Sequence, residues 1–400
     1  MPPRRMTTLL GVVAMSVWMS AVVLSRSHLE EAPAGFDGES NGFITGAAFE
    51  EAKEEFTGPE TIAEGLGPVF NAAGCGECHT TPVLGGTSQI FERRAGRFDG
   101  QTFFDHPGGS LIQDRATDPR VQERVLAGHN VIALRSTLGI LGDGFVEAID
   151  SNTLVAIRNS QPSSVRGTFI QVPVLEAPGN NRGGRFGWKN QHASLLSFSA
   201  DAYKNEMGIT SPMQLEENSF NGEPLPAGTD PLPEPEDDGA DVQLFADFMR
   251  STKVPPVDPF IASSSSAILG SSLFDQIGCA RCHTREIVTA PPGTIINGGQ
   301  FQVPAALGNK IIRPFSDFLL HDIGTGDGIV QNGGQSTRNQ LRTAPLWGLR
   351  ARGRLLHNGG SHNTNDAIQR HGGQATASRN AFNSLSSTDR NRVLTFLSSL

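Results

Sequence analysis

Beyond its first thirty residues the chain has no apolar run long enough to cross a bilayer, no basic stripe, and only four cysteines. The first absence makes the rest of the chain a soluble one. The second speaks against nucleic acid as a partner. Acidic residues outnumber basic ones, 41 to 32, and the two signs are mixed along the chain instead of gathered to neutralise phosphates. Glycine and proline are plentiful, 46 and 25 of 400 residues, well above an average of roughly 12% together, so many loops are expected. At roughly 100–200 residues per domain, this length suggests two or three domains.

The one long apolar feature follows Arg4 and Arg5, runs from Leu9 to Leu24 and ends at Ser25-Arg26-Ser27. That is the layout of a signal peptide. The run is shorter than the roughly 20 residues that span a bilayer comfortably. Residues 1–28 are therefore expected to be a cleaved signal peptide or an N-terminal anchor, the only route to a membrane, and the protein periplasmic or secreted.

The four cysteines form two copies of one motif, Cys75-Gly76-Glu77-Cys78-His79 and Cys279-Ala280-Arg281-Cys282-His283. In this motif the two thiols add across the vinyl groups of a haem and the histidine becomes the proximal iron ligand. Paired zinc or redox CxxC units are the plainer reading. Histidine is 10 of 400 residues, so two chance histidines at these positions have a likelihood of about 6 in 10,000. Zinc would also leave His79 and His283 without a reason. Two covalent haem c groups are thus implied, and no cysteine remains for a disulfide or a catalytic thiol.

Aligning the motifs exposes an internal repeat, residues 66–80 against 270–284, with six of fifteen positions identical. Each copy places an apolar pair, Val69 and Phe70 or Leu273 and Phe274, on a short helical stretch ahead of the first cysteine. Each is followed by a segment with helical apolar spacing: Val242, Leu244, Phe245, Phe248 and Met249 in one, Val393, Leu394, Phe396 and Leu397 in the other. The fold expected is mainly α, two cytochrome c-like haem domains with long loops, the first enlarged by an insertion. Its divisions are an N-terminal arm at 29–59, a first haem domain at 60–256, a linker at 257–262 and a second haem domain at 263–400.

Further segments carry a family resemblance: 109–116, Arg135–Leu138 with 144–148, 185–191, 205–210 and 371–375 resemble the di-haem oxidoreductases, a family described as peroxidases and, more weakly, as thiol oxidoreductases. Residues 318–324, 343–349 and 356–360 are similar, more distantly, to bacterial di-haem cytochrome c peroxidases and MauG-type enzymes. In those enzymes a ligand to the C-terminal haem follows the last of these segments, and here that position carries His371. The resemblance therefore implies His283 and His371 as the axial pair of the second haem; the bland reading of His371 is a surface histidine ending a helix before Gly372 and Gly373.

For the first haem, His79 is proximal and the candidates opposite it are Met207, placed first, and His106, His129 or His192, each of which could instead be packing or surface. No catalytic residue is assigned. Glu147, Arg135, Lys189 and Gln191 lie in the family-like segments, where acid–base work on peroxide would need such groups, but structural ion pairs explain them equally. Trp188 could lie between the haems. The peroxidases hold calcium near a domain interface, which would fall to Asp322 or Asp327 here, although no EF-hand spacing is present.

The function expected is di-haem electron transfer with peroxidase activity at the first haem, served by a small cytochrome or cupredoxin-type redox partner. The alternative is a non-catalytic carrier with both irons six-coordinate.

Overall fold

Phe49, Ala52 and Phe56 recur at the spacing that lines one helix face, and in a computed structural model describing residues 29–400 they form the buried side of a helix at Gly46–Thr57. The expected signal peptide or anchor, residues 1–28, lies outside the described residues. Among those residues no helix is long and apolar enough to cross a membrane. The helices that position the site are, in chain order, α1 (Gly46–Thr57), α2 (Cys75–Cys78), α3 (Asp143–Glu147), α4 (Leu195–Ala202), α5 (Ala240–Ser251), α6 (Ser265–Gln276), α7 (Thr364–Gln369) and α8 (Ser387–Leu397).

The two apolar segments anticipated as closing helices are α5 and α8. α5 packs on α1, where Phe56 meets Phe248 and Phe245 with ring centroids 4.5 and 6.2 Å apart, and α8 packs on α6. Glycines allow one close approach to each of these helices. A Cβ at Gly270 of α6 would collide with the Arg392 carbonyl of α8, and one at Gly144 of α3 with the Arg250 carbonyl of α5. Under the α6–α8 crossing, Phe274 meets Phe396 and Phe315 edge to face at 5.4 and 6.2 Å, with the Arg285 guanidinium over all three rings. Phe274→Ala removes the centre of this cluster and is expected to cost about 3–5 kcal/mol, measured as a lower urea midpoint at unchanged m-value.

The mainly α fold expected is seen in part: about 34% of the described residues are helical, with mixed sheets and long loops making up the rest. The first motif has no helix of its own at 66–74. Val69–Phe70 is instead a strand paired with Arg115–Ala116, since Gly65 adopts positive φ and Pro68 has no N–H to donate. α1 takes that helix's place against α5.

The insertion is built on a four-stranded antiparallel sheet of β1 (Phe91–Phe98), β2 (Phe103–Asp105), β3 (Leu111–Ile112) and β4 (Val131–Ser136). β1 pairs with β4 along its length, setting Glu92 opposite Arg135, and with β2 and β3 on its other edge. β4 alternates exposed Ile132 and Leu134 with buried Ala133 and Arg135, the period-2 signature of a half-buried strand.

Buried apolar residues fall into two main clusters. One gathers α1, α3, α4 and α5 but also takes in Ile287, Leu307, Ile312 and Phe318 from beyond the second motif. The other joins α6 and α8 with Phe315, Leu349 and Phe382. The arm pairs with the second half as well, Glu30 and Glu31 lying parallel to Lys310 and Ile311.

Candidate functional site

Each CxxCH motif opens onto a cavity of its own, about 200 Å³ for the first and 210 Å³ for the second. The two cysteine pairs are therefore apart and do not join as a four-thiolate zinc site. In the first, α2 is a single helical turn that sets Cys75 and Cys78 on one side and brings the His79 backbone N–H to the Cys75 carbonyl at 3.1 Å. The second does the same with a tighter turn, Cys279–Arg281, and a 3.0 Å bond from His283 N–H to the Cys279 carbonyl.

Both histidines are held the same way. His79 Nδ1 lies 3.2 Å from the Gly86 carbonyl and His283 Nδ1 lies 2.9 Å from the Phe315 carbonyl. A ring that donates from Nδ1 to a carbonyl presents Nε2 as its unprotonated, metal-binding nitrogen. Enclosure pushes both imidazoles down to about 4 against the pull of these carbonyls, so both are neutral at pH 7, as iron ligation requires. Phe56 and Phe274 stand over the two rings at 6.0 and 6.3 Å, so each closing-helix core extends to its own histidine.

In the second cavity His371, two residues beyond α7, faces His283 with ring centroids 6.5 Å apart, and its Nδ1 lies 2.7 Å from the Ala367 carbonyl. Metal–imidazole bonds of about 2 Å on either side of one ion put ring centroids about 6–6.5 Å apart. The spacing fits one iron between them. Four thiols with no disulfide, two anchored neutral histidines and a second histidine opposite one of them are the donor set that two haem c groups need.

The first cavity is more polar. Met207 lines it, 2% exposed, at the end of the helical turn after α4. Met249 of α5 lines it too, a residue read in the sequence only as helix packing. The other named candidates lie elsewhere. His106 has both ring nitrogens near carbonyls, Pro107 at 2.7 Å and Arg124 at 3.1 Å, and packs on His129 at 4.9 Å; His192 pairs with Asp201 at 3.0 Å. None of the three lines either cavity.

Of the acid–base candidates, Glu147 and Lys189 are structural. Glu147 is fully buried, accepts from Arg250 at 2.8 Å, the Leu195 N–H at 2.8 Å and Asn297 at 2.9 Å, and lines neither cavity. Lys189 donates to the carbonyls of 337, 338 and 340 and pairs with Asp327 at 3.0 Å. Arg135 and Gln191 do line the first cavity, Arg135 while pairing with Asp327 at 2.7 Å. Burial alone would raise the Asp327 carboxyl; Arg135 and Lys189 outweigh it and hold it below its ordinary value. With two cations on it, Asp327 is a poor ligand for calcium, and neither it nor Asp322 belongs to a group of three metal-ligating side chains among the described residues.

Among the polar groups on the first cavity that were not singled out in the sequence are Glu206 and Glu92. Glu206, bonded to Asn71 at 2.7 Å, is pushed up to about 7 by burial and by the nearby Glu92 carboxylate. Glu92 itself pairs with Arg94 at 2.7 Å and lies 3.6 Å from Arg135. The strand alternation of β1 and β4 was the available signal, since it turns Glu92 and Arg135 to one face.

Trp188 lines both cavities, its indole N–H donating to the Ser136 carbonyl at 2.8 Å and its ring meeting His357 edge to face at 6.2 Å. Ser136, Thr137, Leu138 and Arg342 are also common to the two walls.

No curated protein matches this chain. Among solved structures it is similar to the diheme peroxidase BthA from Burkholderia thailandensis, with 15% identity over 93% of this chain and 94% of that one and a TM-score of 0.42. It is also similar to a MauG-like protein associated with microbial copper homeostasis, at 12% over 94% and 93% with 0.41, and to hydrazine synthase of Kuenenia stuttgartiensis, at 13% over the whole of both chains with 0.41. The family profile described as "Di-haem oxidoreductase, putative peroxidase" matches residues 98–400, which include the second motif and begin after the first. With three quarters of its length matched, the chain belongs to the di-haem oxidoreductase family and is a haem-dependent redox enzyme.

Proposed function

We propose that the protein is a periplasmic di-haem c-type oxidoreductase that reduces a small substrate such as hydrogen peroxide at the first haem, with the second haem relaying electrons. The observation that carries this reading is the pair of cavities, each headed by a CxxCH histidine and sharing a wall at Trp188. Cys75 and Cys78 would hold one haem and Cys279 and Cys282 the other, with His79 and His283 as proximal ligands. Bound haem supplies one-electron transfer and, where the sixth position is open or displaceable, reduction of a ligand at iron.

The residues divide the work. His371, anchored through Ala367, would hold the second iron together with His283, and Met207 would be a weaker, thioether ligand to the first. Glu206, raised to about 7, can hold or release a proton at Oε1 near neutral pH while Oε2 accepts from Asn71, and Arg135 and Arg94 on the same wall supply positive charge. Trp188 fills the space between the sites as a rigid aromatic bridge. The acidic net charge suits a basic electron-donor protein of the small cytochrome or cupredoxin type. We place calcium outside the core requirement.

Intact mass and a pyridine haemochrome assay on the exported protein test the reading: two covalent haems per chain are expected, and none on a chain with all four cysteines replaced by serine. Trp188→Phe should retain both haems and slow turnover with a one-electron donor by tenfold or more. Unchanged turnover would remove Trp188 from the relay.

A further inference from the structure

Arg342 is buried and Arg352 half-buried at the second cavity, and neither makes an ion pair among the described residues. A guanidinium has five N–H donors to satisfy. Arg342 places one, its Nε, on the Gly187 carbonyl at 2.9 Å, and its other contact, the Phe318 ring at 5.8 Å, takes no N–H. Arg352 places one amino group on the Trp347 carbonyl at 3.1 Å.

Burial without an ion pair is not by itself a sign of a ligand. Arg185 is more deeply buried and also unpaired, but its donors go to the carbonyls of Gly183, Val146, Glu147 and Ile149 and to the Ser151 hydroxyl. Arg342 and Arg352 have no such set of acceptors. The carboxyl whose charge acts on Arg342 is Asp143, which burial pushes up to about 8, and the charge that acts on Arg352 is the like charge of Arg342. Two cations with open donors in one cavity call for anionic acceptors from outside the chain.

We propose that Arg342 and Arg352 clamp the propionates of the haem held at Cys279 and Cys282, and that Arg342, which lines both cavities, also sets the charge felt by the first haem. The clamp rests on the haem assignment made above. Porphyrin carries its thioether carbons and its propionates on opposite edges, so a cavity that holds a cysteine pair and, among its several arginines, two whose donors are largely unfilled has an anchor for each edge. A planar guanidinium fork meets a carboxylate through two parallel hydrogen bonds, a geometry that lysine cannot copy.

The test uses the holoprotein and the variants Arg352→Gln, Arg342→Gln and Arg352→Lys. Haem content comes from intact mass, propionate hydrogen bonding from the propionate-bending bands in resonance Raman spectra, and midpoint potentials from spectroelectrochemistry. Arg352→Gln should keep two haems per chain, shift the bending bands of the second haem and lower its midpoint potential. The expected fall raises its oxidised-to-reduced ratio about tenfold at a fixed ambient potential, 59 mV for a one-electron couple. Arg342→Gln should lower both potentials, and Arg352→Lys should keep the potential while still shifting the bands. Should Arg352→Gln fail to accumulate, Arg342→Gln carries the same test. Two haems with wild-type bands and potentials in the glutamine variants would overturn the clamp and leave the haem assignment standing. Fewer than two haems in the wild-type protein would instead overturn the assignment.

Discussion

Glu147→Gln should lower the stability of the holoprotein by about 3–5 kcal/mol and leave the peroxide reactivity of each folded haem unchanged. Glu147 joins four parts of the chain: its own α3, Arg250 of α5, the Leu195 N–H at the start of α4, and Asn297 from the second half. The amide keeps the shape but removes the charge, which leaves Arg250, 3% exposed, with only the longer 3.4 Å pairing to Asp247 to balance it. The pH dependence follows from the same pair. Burial alone would raise the Glu147 carboxyl, but Arg250 outweighs it and holds it below its ordinary value. A lowered folded-state value means a contribution that is present above the unfolded glutamate value of about 4.3 and is lost as pH falls through the folded one. Urea unfolding at pH 7 and at pH 5 should therefore show the same difference between wild type and variant. A change in peroxide reactivity at unchanged stability would return Glu147 to the list of catalytic candidates.

His371→Ala should convert the second haem from a six-coordinate low-spin centre to one that binds cyanide or carbon monoxide, while the first haem keeps its spectrum. The 6.5 Å spacing of the His283 and His371 rings is the basis for this. His371→Met should give a distinct, methionine-ligated spectrum at the same haem content, which separates loss of a ligand from loss of the fold. Unchanged low-spin signals in both variants would mean that His371 is no ligand. Little stability should be lost in either, because His371 lies on a loop between α7 and the following turn and the one hydrogen bond of its side chain is to Ala367.

The CxxCH motifs were what the sequence displayed most plainly. Their residues are contiguous, so spacing alone was enough to propose Cys75, Cys78, His79, Cys279, Cys282 and His283 as haem-holding residues. The closing helices were legible for a similar reason, since Val242 to Met249 and Val393 to Leu397 carry helical spacing within a single segment. The first motif's packing helix was not, because α1 lies 17 residues upstream of Cys75, beyond the strand that the Gly67-Pro68 break imposes. The sheet of the insertion was not anticipated; β1 and β4 carry an alternation, but β2 and β3 are three and two residues long, too short to show a period.

Polar partners were the least legible part. Glu147, Lys189 and Arg135 sit in segments that resemble the family and looked equally catalytic, yet only Arg135 reaches a cavity. What separates them is the company each keeps from distant parts of the chain: Arg250 for Glu147, carbonyls of 337–340 for Lys189, Glu92 and Asp327 for Arg135. Those contacts span about a hundred residues or more in most cases, and no local pattern encodes them. Arg342 and Arg352 escaped notice for the same reason, as their unfilled donors become visible only in the folded cavity.

The central claim is that the two irons are unequal. EPR and absorption spectra of the purified wild-type holoprotein, before and after one equivalent of hydrogen peroxide, test it most directly. The account predicts two distinguishable centres: a low-spin one with two histidine ligands that keeps its coordination, and a second whose spectrum changes as peroxide reaches the first haem. Two low-spin irons, both inert to peroxide, would contradict it and make the protein an electron carrier.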